Sequence, residues 1–390
     1  MATGKMQFRN FGRIDWKVSP LGFGCMRLPT LDGKPLSGKI DERESIRMIR
    51  HAIDQGVNYI DTAYPYHEGR SEIVLGKALK DGYRERVRVA TKSPIWLVKR
   101  QKDFDTYLNT QLRRLKTDHI DFYLLHGLSK KRWRETVLKH NLLKRAENAM
   151  HDGKIGHLGF SFHDDYAAFK EIVDGYDGWD FCQIQYNYMD IKRQAGTKGL
   201  RYAASNGLAV VVMEPLLGGR LANPPPKIRK MFDRHDDKQS PADLALQWIW
   251  NQTEVSVILS GMSTMQQVKQ NIRSASSSGI GSMDKSELRF VDRLRSRYKE
   301  ETPISCTKCG YCMPCPNGVD IPGNFELYND GYIHDDAESS RRTYERFMGK
   351  KQRAGACKQC GKCEKKCPQK LPIMTLMPEV HSVLGEGMPF

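Results

Sequence analysis

Eight short apolar runs alternate with amphipathic segments between Leu21 and Ser274, and this alternation constrains the fold more than any other feature of the sequence. A strand followed by an amphipathic helix is the repeating unit of parallel sheets, because the helix covers one face of the sheet. Eight such units predict an α/β fold, a (β/α)8 TIM barrel with its active site at the carboxyl ends of the strands. The pattern alone leaves a doubly wound open sheet as the alternative. The predicted strands span residues 21–23, 58–61, 87–91, 120–125, 155–161, 181–185, 209–214 and 255–260.

The segments outside this repeat divide the chain into two predicted domains. Residues 6–18, with Gly12 between two short runs, predict an N-terminal hairpin that plugs the bottom of the barrel. At Pro303 the composition turns to Cys, Gly and Pro. We therefore expect a barrel domain over residues 1–301 and a small cysteine-rich domain over residues 302–390.

Eight of the ten cysteines lie in two short clusters near the C-terminus. Three thiolates spaced two residues apart can bind three irons of one iron–sulfur cluster, and a fourth Cys before Pro points toward another cluster. Zinc is the alternative metal, but four-cysteine zinc sites typically use two separate C-x2-C pairs, so the spacing favours iron–sulfur binding. The first cluster, C-x2-C-x2-C-x2-C-P, contains Cys306, Cys309, Cys312 and Cys315, and the second, C-x2-C-x2-C-x3-C-P, contains Cys357, Cys360, Cys363 and Cys367.

The second cluster reproduces the cysteine run of bacterial ferredoxins, and the first differs by one residue in its last spacer. This part of the chain resembles the two-cluster ferredoxins. Cys25 and Cys182 stand apart from it in strand-like contexts, where we expect small buried core residues. The resemblance implies two 4Fe-4S clusters, one held by Cys306, Cys309, Cys312 and Cys367 and the other by Cys357, Cys360, Cys363 and Cys315.

The net charge of +16 raises the question of a nucleic-acid partner. No helix-turn-helix, RNA-recognition or zinc-finger pattern accompanies this charge, so we expect a solvated basic surface and no nucleic-acid binding. No apolar run approaches the roughly 18 residues of a membrane span, and the N-terminus has no apolar signal segment. The sequence therefore predicts a cytoplasmic protein without membrane insertion.

Four side chains with complementary chemistry lie at the ends of three consecutive predicted strands. Asp61 and Tyr66 follow the second strand, Lys92 follows the third and His126 follows the fourth. An ammonium beside a tyrosine lowers the pKa of its hydroxyl, a carboxylate keeps the ammonium charged, and a histidine can orient a carbonyl oxygen. The set suits protonation of a ketone or aldehyde oxygen while a nicotinamide delivers hydride.

The identity and spacing of these four residues resemble the catalytic tetrad of the aldo-keto reductase superfamily. Residues 18–24 on the first predicted strand and 159–161 on the fifth are also similar to that family, and the resemblance covers residues 5–300. Together with the ferredoxin-like tail it points to the iron–sulfur subgroup of the family. It implies that Tyr66 is the general acid, that Lys92 lowers its pKa, that Asp61 pairs with Lys92 and that His126 orients the substrate.

The same resemblance implies where a nicotinamide cofactor binds. Ser161 and Gln183 would hold the carboxamide of its ring, and residues 216–218 would lie along its pyrophosphate. The loop at 218–241 is too long for an ordinary strand-to-helix connection, so we expect it to cover a bound ligand. The implied cofactor contacts are Gly24, Met26, Ser161, Gln183, Glu214, Pro215, Leu216, Gly218, Gly261, Ser263, Gln267, Gln270 and Asn271.

Several departures from the family pattern bear on the cofactor. Phe162 follows Ser161 where the family often has Asn, and Glu214 stands where an aromatic residue often stacks on the nicotinamide. The segment 260–263 lacks the Lys that often meets the 2′-phosphate of NADPH, and Gln267 stands near a frequent Arg. The sequence therefore leaves both NADPH and NADH open as cofactors, and it leaves room for a flavin that no motif shows.

These features favour an NAD(P)H-dependent oxidoreductase that interconverts a small-molecule carbonyl and an alcohol and uses its clusters for electron transfer. Hydride carries two electrons, whereas a 4Fe-4S cluster normally accepts one. The alternatives are a reductase whose clusters are structural or dock a redox partner protein, and a non-enzymatic redox-sensing subunit. Substrate choice would depend on loops that no motif constrains, at 96–102, 130–134 and 220–237.

Overall fold

The computed structural model describes residues 5–235, 239–306, 310–367 and 369–390. The contacts within the chain separate two compact units. The first extends to Ala222 and includes Gln239–Lys285, and the second joins the described parts of 223–238 and 286–390. None of the helices that the structure describes is both long and apolar enough to cross a membrane.

Eight parallel strands close into a barrel in the first unit, which confirms the predicted fold. Neighbouring strands follow one another in the chain, and the last strand pairs with the first. Each strand begins within one residue of its predicted start. The hairpin strands are β1 (Arg9–Phe11) and β2 (Ile14–Val18), and the barrel strands are β3 (Leu21–Gly24), β4 (Tyr59–Asp61), β5 (Arg88–Ser93), β6 (Ile120–Leu128), β7 (Ile155–Phe162), β8 (Phe181–Gln185), β9 (Ala209–Met213) and β10 (Val255–Gly261).

Helices cover the outside of the barrel, and polar caps mark where several of them begin. The Asp41 carboxylate accepts the N–H of Glu44 at the start of the helix Glu42–Asp54. The Ser240 hydroxyl accepts the N–H of Asp243 at the start of the helix Pro241–Trp250. The helices of this unit are α1 (Glu42–Asp54), α2 (Ser71–Ala78), α3 (Asp103–Leu115), α4 (Lys130–Arg132), α5 (Leu142–His151), α6 (Tyr166–Asp174), α7 (Gly196–Ser205), α9 (Pro241–Trp250) and α10 (Met265–Ser276).

The predicted N-terminal hairpin is present, and it packs into the barrel core. Strands β1 and β2 pair antiparallel. The Phe11 ring is fully buried, with its centroid 4.7 Å from that of Phe122 on β6. Gly12 turns the hairpin at a φ of +55°, and a Cβ there would lie 2.4 Å from the backbone nitrogen of Ala209. Apolar side chains therefore fill this end of the barrel, and the polar site is confined to the carboxyl ends of the strands.

The second unit has its own apolar core, formed by residues such as Phe325, Tyr344 and Met377. The segment predicted as a long ligand-covering loop contains a helix that belongs to this unit, and Phe232 from that helix contacts Phe290 edge-on at 5.4 Å. The helices are α8 (Pro226–Asp233), α11 (Lys285–Glu300), α12 (Ile321–Ile333), α13 (Ala337–Phe347) and α14 (Ile373–Gly385).

Candidate functional site

Strand order and register bring three of the predicted catalytic residues into direct contact. Asp61 ends β4, Lys92 lies near the end of the neighbouring β5, and Tyr66 lies on a short turn after β4. The Lys92 ammonium donates to Asp61 Oδ1 at 2.7 Å and to the carbonyl of Thr62 at 2.8 Å, and it lies 3.4 Å from Tyr66 Oη. Lys92 and Asp61 are almost completely buried, so their opposite charges interact with little screening.

Burial and charge act in opposite directions on these groups. Burial alone would lower the pKa of Lys92, but Asp61 and Tyr66 outweigh this effect and raise it above its ordinary value. Desolvation raises the pKa of Tyr66, and the Lys92 ammonium only partly opposes the rise. The lowering of the Tyr66 pKa by Lys92 was predicted, but the larger opposing contribution of burial was not. At neutral pH, therefore, Lys92 is charged and Tyr66 holds its proton.

His126 lies in β6 beside Tyr66. Their ring centroids are 6.1 Å apart in an edge-to-face arrangement, and Trp96 contacts the histidine from another side at 5.0 Å. Desolvation lowers the pKa of His126 well below its ordinary value, and the charge of Lys92 adds to this effect. The ring is therefore neutral. Its Nδ1 is buried and has no hydrogen-bond partner among the described residues.

A buried polar network behind these residues was missed by the sequence analysis. Glu72 is fully buried, and its carboxylate accepts hydrogen bonds from Thr91 at 2.7 Å and Gln111 at 2.6 Å. Its second oxygen accepts from Arg114 at 3.0 Å. Gln111 also donates to the carbonyl of Lys92 at 3.1 Å. The network thus fixes the backbone that carries Lys92.

Arg114 connects the same network to the turn that carries Tyr66. Its guanidinium donates to the Tyr64 carbonyl at 3.2 Å and lies 4.3 Å from the centroid of the Tyr64 ring. The turn itself is conformationally demanding, because His67 and Glu68 both have positive φ. A sequence signal existed, since Glu72 lies on the same helical face as the buried Leu75 and Leu79, where a charge needs a buried partner.

The predicted carboxamide-binding residues lie on β7 and β8, one strand apart. Gln183 is buried, and its Oε1 has no hydrogen-bond partner among the described residues. Ser161 accepts the N–H of Gly127 at 2.7 Å, which leaves its own hydroxyl hydrogen for another acceptor. An acceptor and a donor on adjacent strands fit the amide of a nicotinamide ring, so the described residues are compatible with that cofactor.

The structure groups the remaining predicted cofactor contacts at two places on the rim. Gly24 pairs in register with Gly261, and Ser263 donates to the Arg27 carbonyl at 2.8 Å while its N–H reaches Gln267 at 2.8 Å. Around β9, positive φ values occur at Glu214 and Gly218. Asn271 is buried, and its side-chain amide donates to the Ser260 hydroxyl at 2.9 Å. Gln270 is exposed. The other predicted contacts in these two groups are Met26, Pro215 and Leu216.

Seven of the eight clustered cysteines are described, and Cys309 and the Pro368 of the second motif lie outside the described residues. None of the seven forms a disulfide. Burial raises the pKa of Cys363, and the neighbouring thiols of Cys357 and Cys360 add to the rise, so these three lie close together. The Cys357 sulfur accepts the N–H of Gln359 at 3.4 Å.

This donor set fits iron–sulfur clusters better than a single ion. Across the described parts of the chain, no three His, Cys, Asp or Glu side chains converge on one metal position. A 4Fe-4S cluster takes its protein ligands from thiolates, and the spacing of the cysteines in both sequence motifs suits it. The predicted pairing of cysteines between the two clusters stays a prediction.

Two family models match this chain. The aldo/keto reductase family matches residues 20–293, and a 4Fe-4S dicluster domain matches residues 305–371. Among curated proteins, an NADH-specific methylglyoxal reductase from Escherichia coli is 29% identical over 308 residues, covering 67% of this chain and 91% of its own. A probable aldo-keto reductase 1 from Glycine max is 25% identical over 307 residues, covering 70% and 85%.

The barrel is also similar to solved structures. The holo form of aldo-keto reductase AKR11C1 from Bacillus halodurans superposes with a TM-score of 0.61 at 26% sequence identity, covering 74% of this chain and 96% of that one. The two family matches together account for the barrel and for the cysteine-rich segment.

Proposed function

This chain belongs to the aldo/keto reductase family and carries a 4Fe-4S dicluster domain, and from that premise we propose that its barrel interconverts a carbonyl compound and an alcohol at Tyr66. The contact between Lys92, Asp61 and Tyr66 is the observation that carries the proposal. It supplies an acid, a fixed positive charge and a counter-ion within one buried group. The family is one of oxidoreductases that act on small molecules.

In the reducing direction Tyr66 donates its proton to the carbonyl oxygen. When bound, a nicotinamide cofactor held by Ser161 and Gln183 would supply the hydride that the carbonyl carbon needs to become CH–OH. Lys92 stabilises the resulting phenolate, and Asp61 keeps the lysine charged and in place. His126 is neutral, so it can donate one ring N–H to the carbonyl oxygen without competing as an acid.

We propose that Ser161 and Gln183 hold the nicotinamide amide and that residues 214–218 and 261–271 hold the remainder of the cofactor. Gln267 is bonded to the N–H of Ser263, and neither residue carries the positive charge that a 2′-phosphate would require. These two residues therefore give NADPH no advantage over NADH, and both cofactors stay candidates. The eight clustered cysteines are proposed to hold two 4Fe-4S clusters that transfer single electrons, with the functional boundary near residue 302.

The test is cofactor oxidation by the full-length protein, purified without oxygen, with NADPH and with NADH and a panel of aldehydes. We expect turnover with at least one pairing, and a loss of about 10²- to 10⁴-fold in kcat for Tyr66→Phe, which removes only the hydroxyl. Tyr176→Phe is the matched control, because its partly buried hydroxyl bonds Glu147 and the residue precedes β8, on the side of the barrel opposite the carboxyl ends of the strands. Equal rates in the Tyr66 variant would refute the assigned acid.

A further inference from the structure

A cation lies beside His126 at the mouth of the barrel. The guanidinium of Arg132 donates to the carbonyl of Gly127 at 2.7 Å, one residue after the histidine. Its carbon is 5.6 Å from the centroid of the Trp96 ring, within the range of a cation–π contact. Trp96 in turn packs against His126 at 5.0 Å. These contacts fix Arg132 next to the residue that would orient the substrate.

The close approach of Arg132 depends on the backbone at Gly127. This residue has a φ of +65°, and a Cβ there would lie 2.8 Å from the Arg132 guanidinium. Its N–H donates to Ser161, one of the proposed cofactor ligands. The arginine is therefore held by the same short segment that links His126 to the cofactor site.

Arg132 makes no ion pair with any carboxylate among the residues that the structure describes. Its neighbours differ in this respect. Arg134 binds both oxygens of Glu171 at 2.6 and 2.9 Å, and Arg193 lies 3.7 Å from Asp190. A half-buried guanidinium with unused donors is a strong site for an oxyanion, because charge-assisted forks bind carboxylates well.

A second carboxylate near the site, that of Glu214, lies on the other side of the barrel. It follows β9, which is four places around the eight-stranded barrel from β5 and three from β6. Trp96 follows β5, and Arg132 follows β6. Arg132 thus places a positive charge on the His126 side of the rim, and Glu214 places a negative charge on the β9 side, where a second substrate carboxylate would be repelled.

We propose that Arg132, fixed by Trp96, binds a carboxylate of the substrate while His126 and Tyr66 receive its carbonyl group. This inference rests on the proposed carbonyl chemistry, and it names the substrate class as aldehydes or ketones that also carry a carboxylate. The two loops involved, after β5 and β6, are two of the three that the sequence analysis left as determinants of specificity.

Binding of an unreactive pair tests the subsite without requiring turnover. The full-length protein with NADPH or NADH is titrated calorimetrically with 4-(hydroxymethyl)benzoate and with its methyl ester, two alcohols that a reduced cofactor cannot convert. We expect the carboxylate to bind about 10- to 100-fold more tightly, the contribution of a charge-assisted bond. Arg132→Met should abolish this ratio, and Arg132→Lys, which keeps the charge, should retain part of it.

Arg134→Met is the matched control, because it also removes an arginine two residues away, and it should keep the wild-type ratio. Equal binding of the two alcohols, or a preference that survives in Arg132→Met, would overturn the proposal. Turnover of the corresponding aldehydes separates the two ideas. Turnover without a carboxylate preference refutes the subsite alone, and a preference without turnover refutes the carbonyl chemistry alone.

Discussion

Lys92 shares its charge between a carboxylate and a phenol, and this sharing determines how the rates should depend on pH. Desolvation raises the pKa of the Tyr66 hydroxyl above its ordinary value, so the protonated form persists through neutral and mildly alkaline pH. Carbonyl reduction, which uses that form, should be level from about pH 6 to 9 and fall only above about pH 10. Alcohol oxidation needs the phenolate, so its rate should rise with pH and should still be rising above about pH 10, where carbonyl reduction falls.

Lys92→Met tests this account. Removing the ammonium removes the interaction that lowers the pKa of Tyr66, so the rise of alcohol oxidation should move to higher pH, and both rates should fall by at least about 10²-fold. The measurement is kcat/KM against pH in both directions, with the exposed Lys131→Met as control. An inflection near pH 6.5 in the wild type would contradict the neutral His126 inferred from its lowered pKa.

Glu72 lies behind the candidate site and stabilises the buried network that supports Lys92 and the Tyr66 turn. Glu72→Gln keeps the shape of the side chain but leaves Arg114 without its buried counter-ion, so we expect a loss of about 2–4 kcal/mol in the free energy of unfolding. Because all six tryptophans lie in the barrel unit, their fluorescence in urea reports on that unit. The exposed pair of Lys131 and Glu135 supplies the control, Glu135→Gln, which should cost less than about 0.5 kcal/mol.

Residues of the site differ in how far the sequence reveals them. Asp61, Lys92 and His126 were predictable, because parallel strands bring residues at their carboxyl ends together. Gln111 was not, because a polar residue on an apolar helical face gives no indication of which partner satisfies it. Arg132 was hidden for a different reason. Its position depends on the conformation of Gly127 and on the packing of Trp96, and neither has a sequence pattern.

Among the elements, the hairpin that closes the barrel depends on one glycine. Gly12→Ala would place a Cβ 2.4 Å from the backbone nitrogen of Ala209 in a left-handed conformation, so we expect a loss of about 3 kcal/mol in stability. Gly33→Ala is the matched control, since Gly33 has a similar φ of +66° and no atom within 4 Å of its Cβ position. It should cost about 1 kcal/mol. Equal losses measured by tryptophan fluorescence would show that backbone strain, not contact with β9, decides the effect.

The elements themselves were largely predictable. The strands of the barrel were found to within a few residues because each is a short segment with β-branched, aromatic or other apolar residues, separated from the next by an amphipathic helical segment. Helix α8 was missed, although Pro226 occupies its first position, where proline is favoured. Its apolar residues are few, and Phe232 finds its partner, Phe290, far along the chain. Short helices of this kind are stabilised by tertiary contacts that no local pattern contains.

At the scale of the whole molecule, a two-electron barrel and a cysteine-rich unit share one chain. If the clusters transfer electrons, removing iron should separate two activities. Reduction of an aldehyde by NADPH or NADH should persist, because the proposed acid, charge and counter-ion all lie in the barrel. Oxidation of a one-electron donor such as reduced benzyl viologen, which passes its single electron to a cluster, should be lost, since only the clusters accept single electrons. Equal loss of both activities would instead make the clusters structural.

Replacing one cluster cysteine removes iron without a chelator and tests the same role of the clusters. Cys363 neighbours two other thiols, so Cys363→Ser should lower the iron content from about eight to about four per chain and lower the amount of reduced dye oxidised per chain by about half, while aldehyde reduction continues. Cys182→Ala is the control, because this cysteine is buried in β8 and should leave the iron content unchanged. Oxidation of the reduced dye that survives the loss of iron would exclude the clusters from the electron path, and the second unit would then serve to dock a partner or to sense redox state. The two activities can be told apart because the proposed hydride transfer to the carbonyl carbon moves electrons only in pairs, whereas a cluster takes them singly.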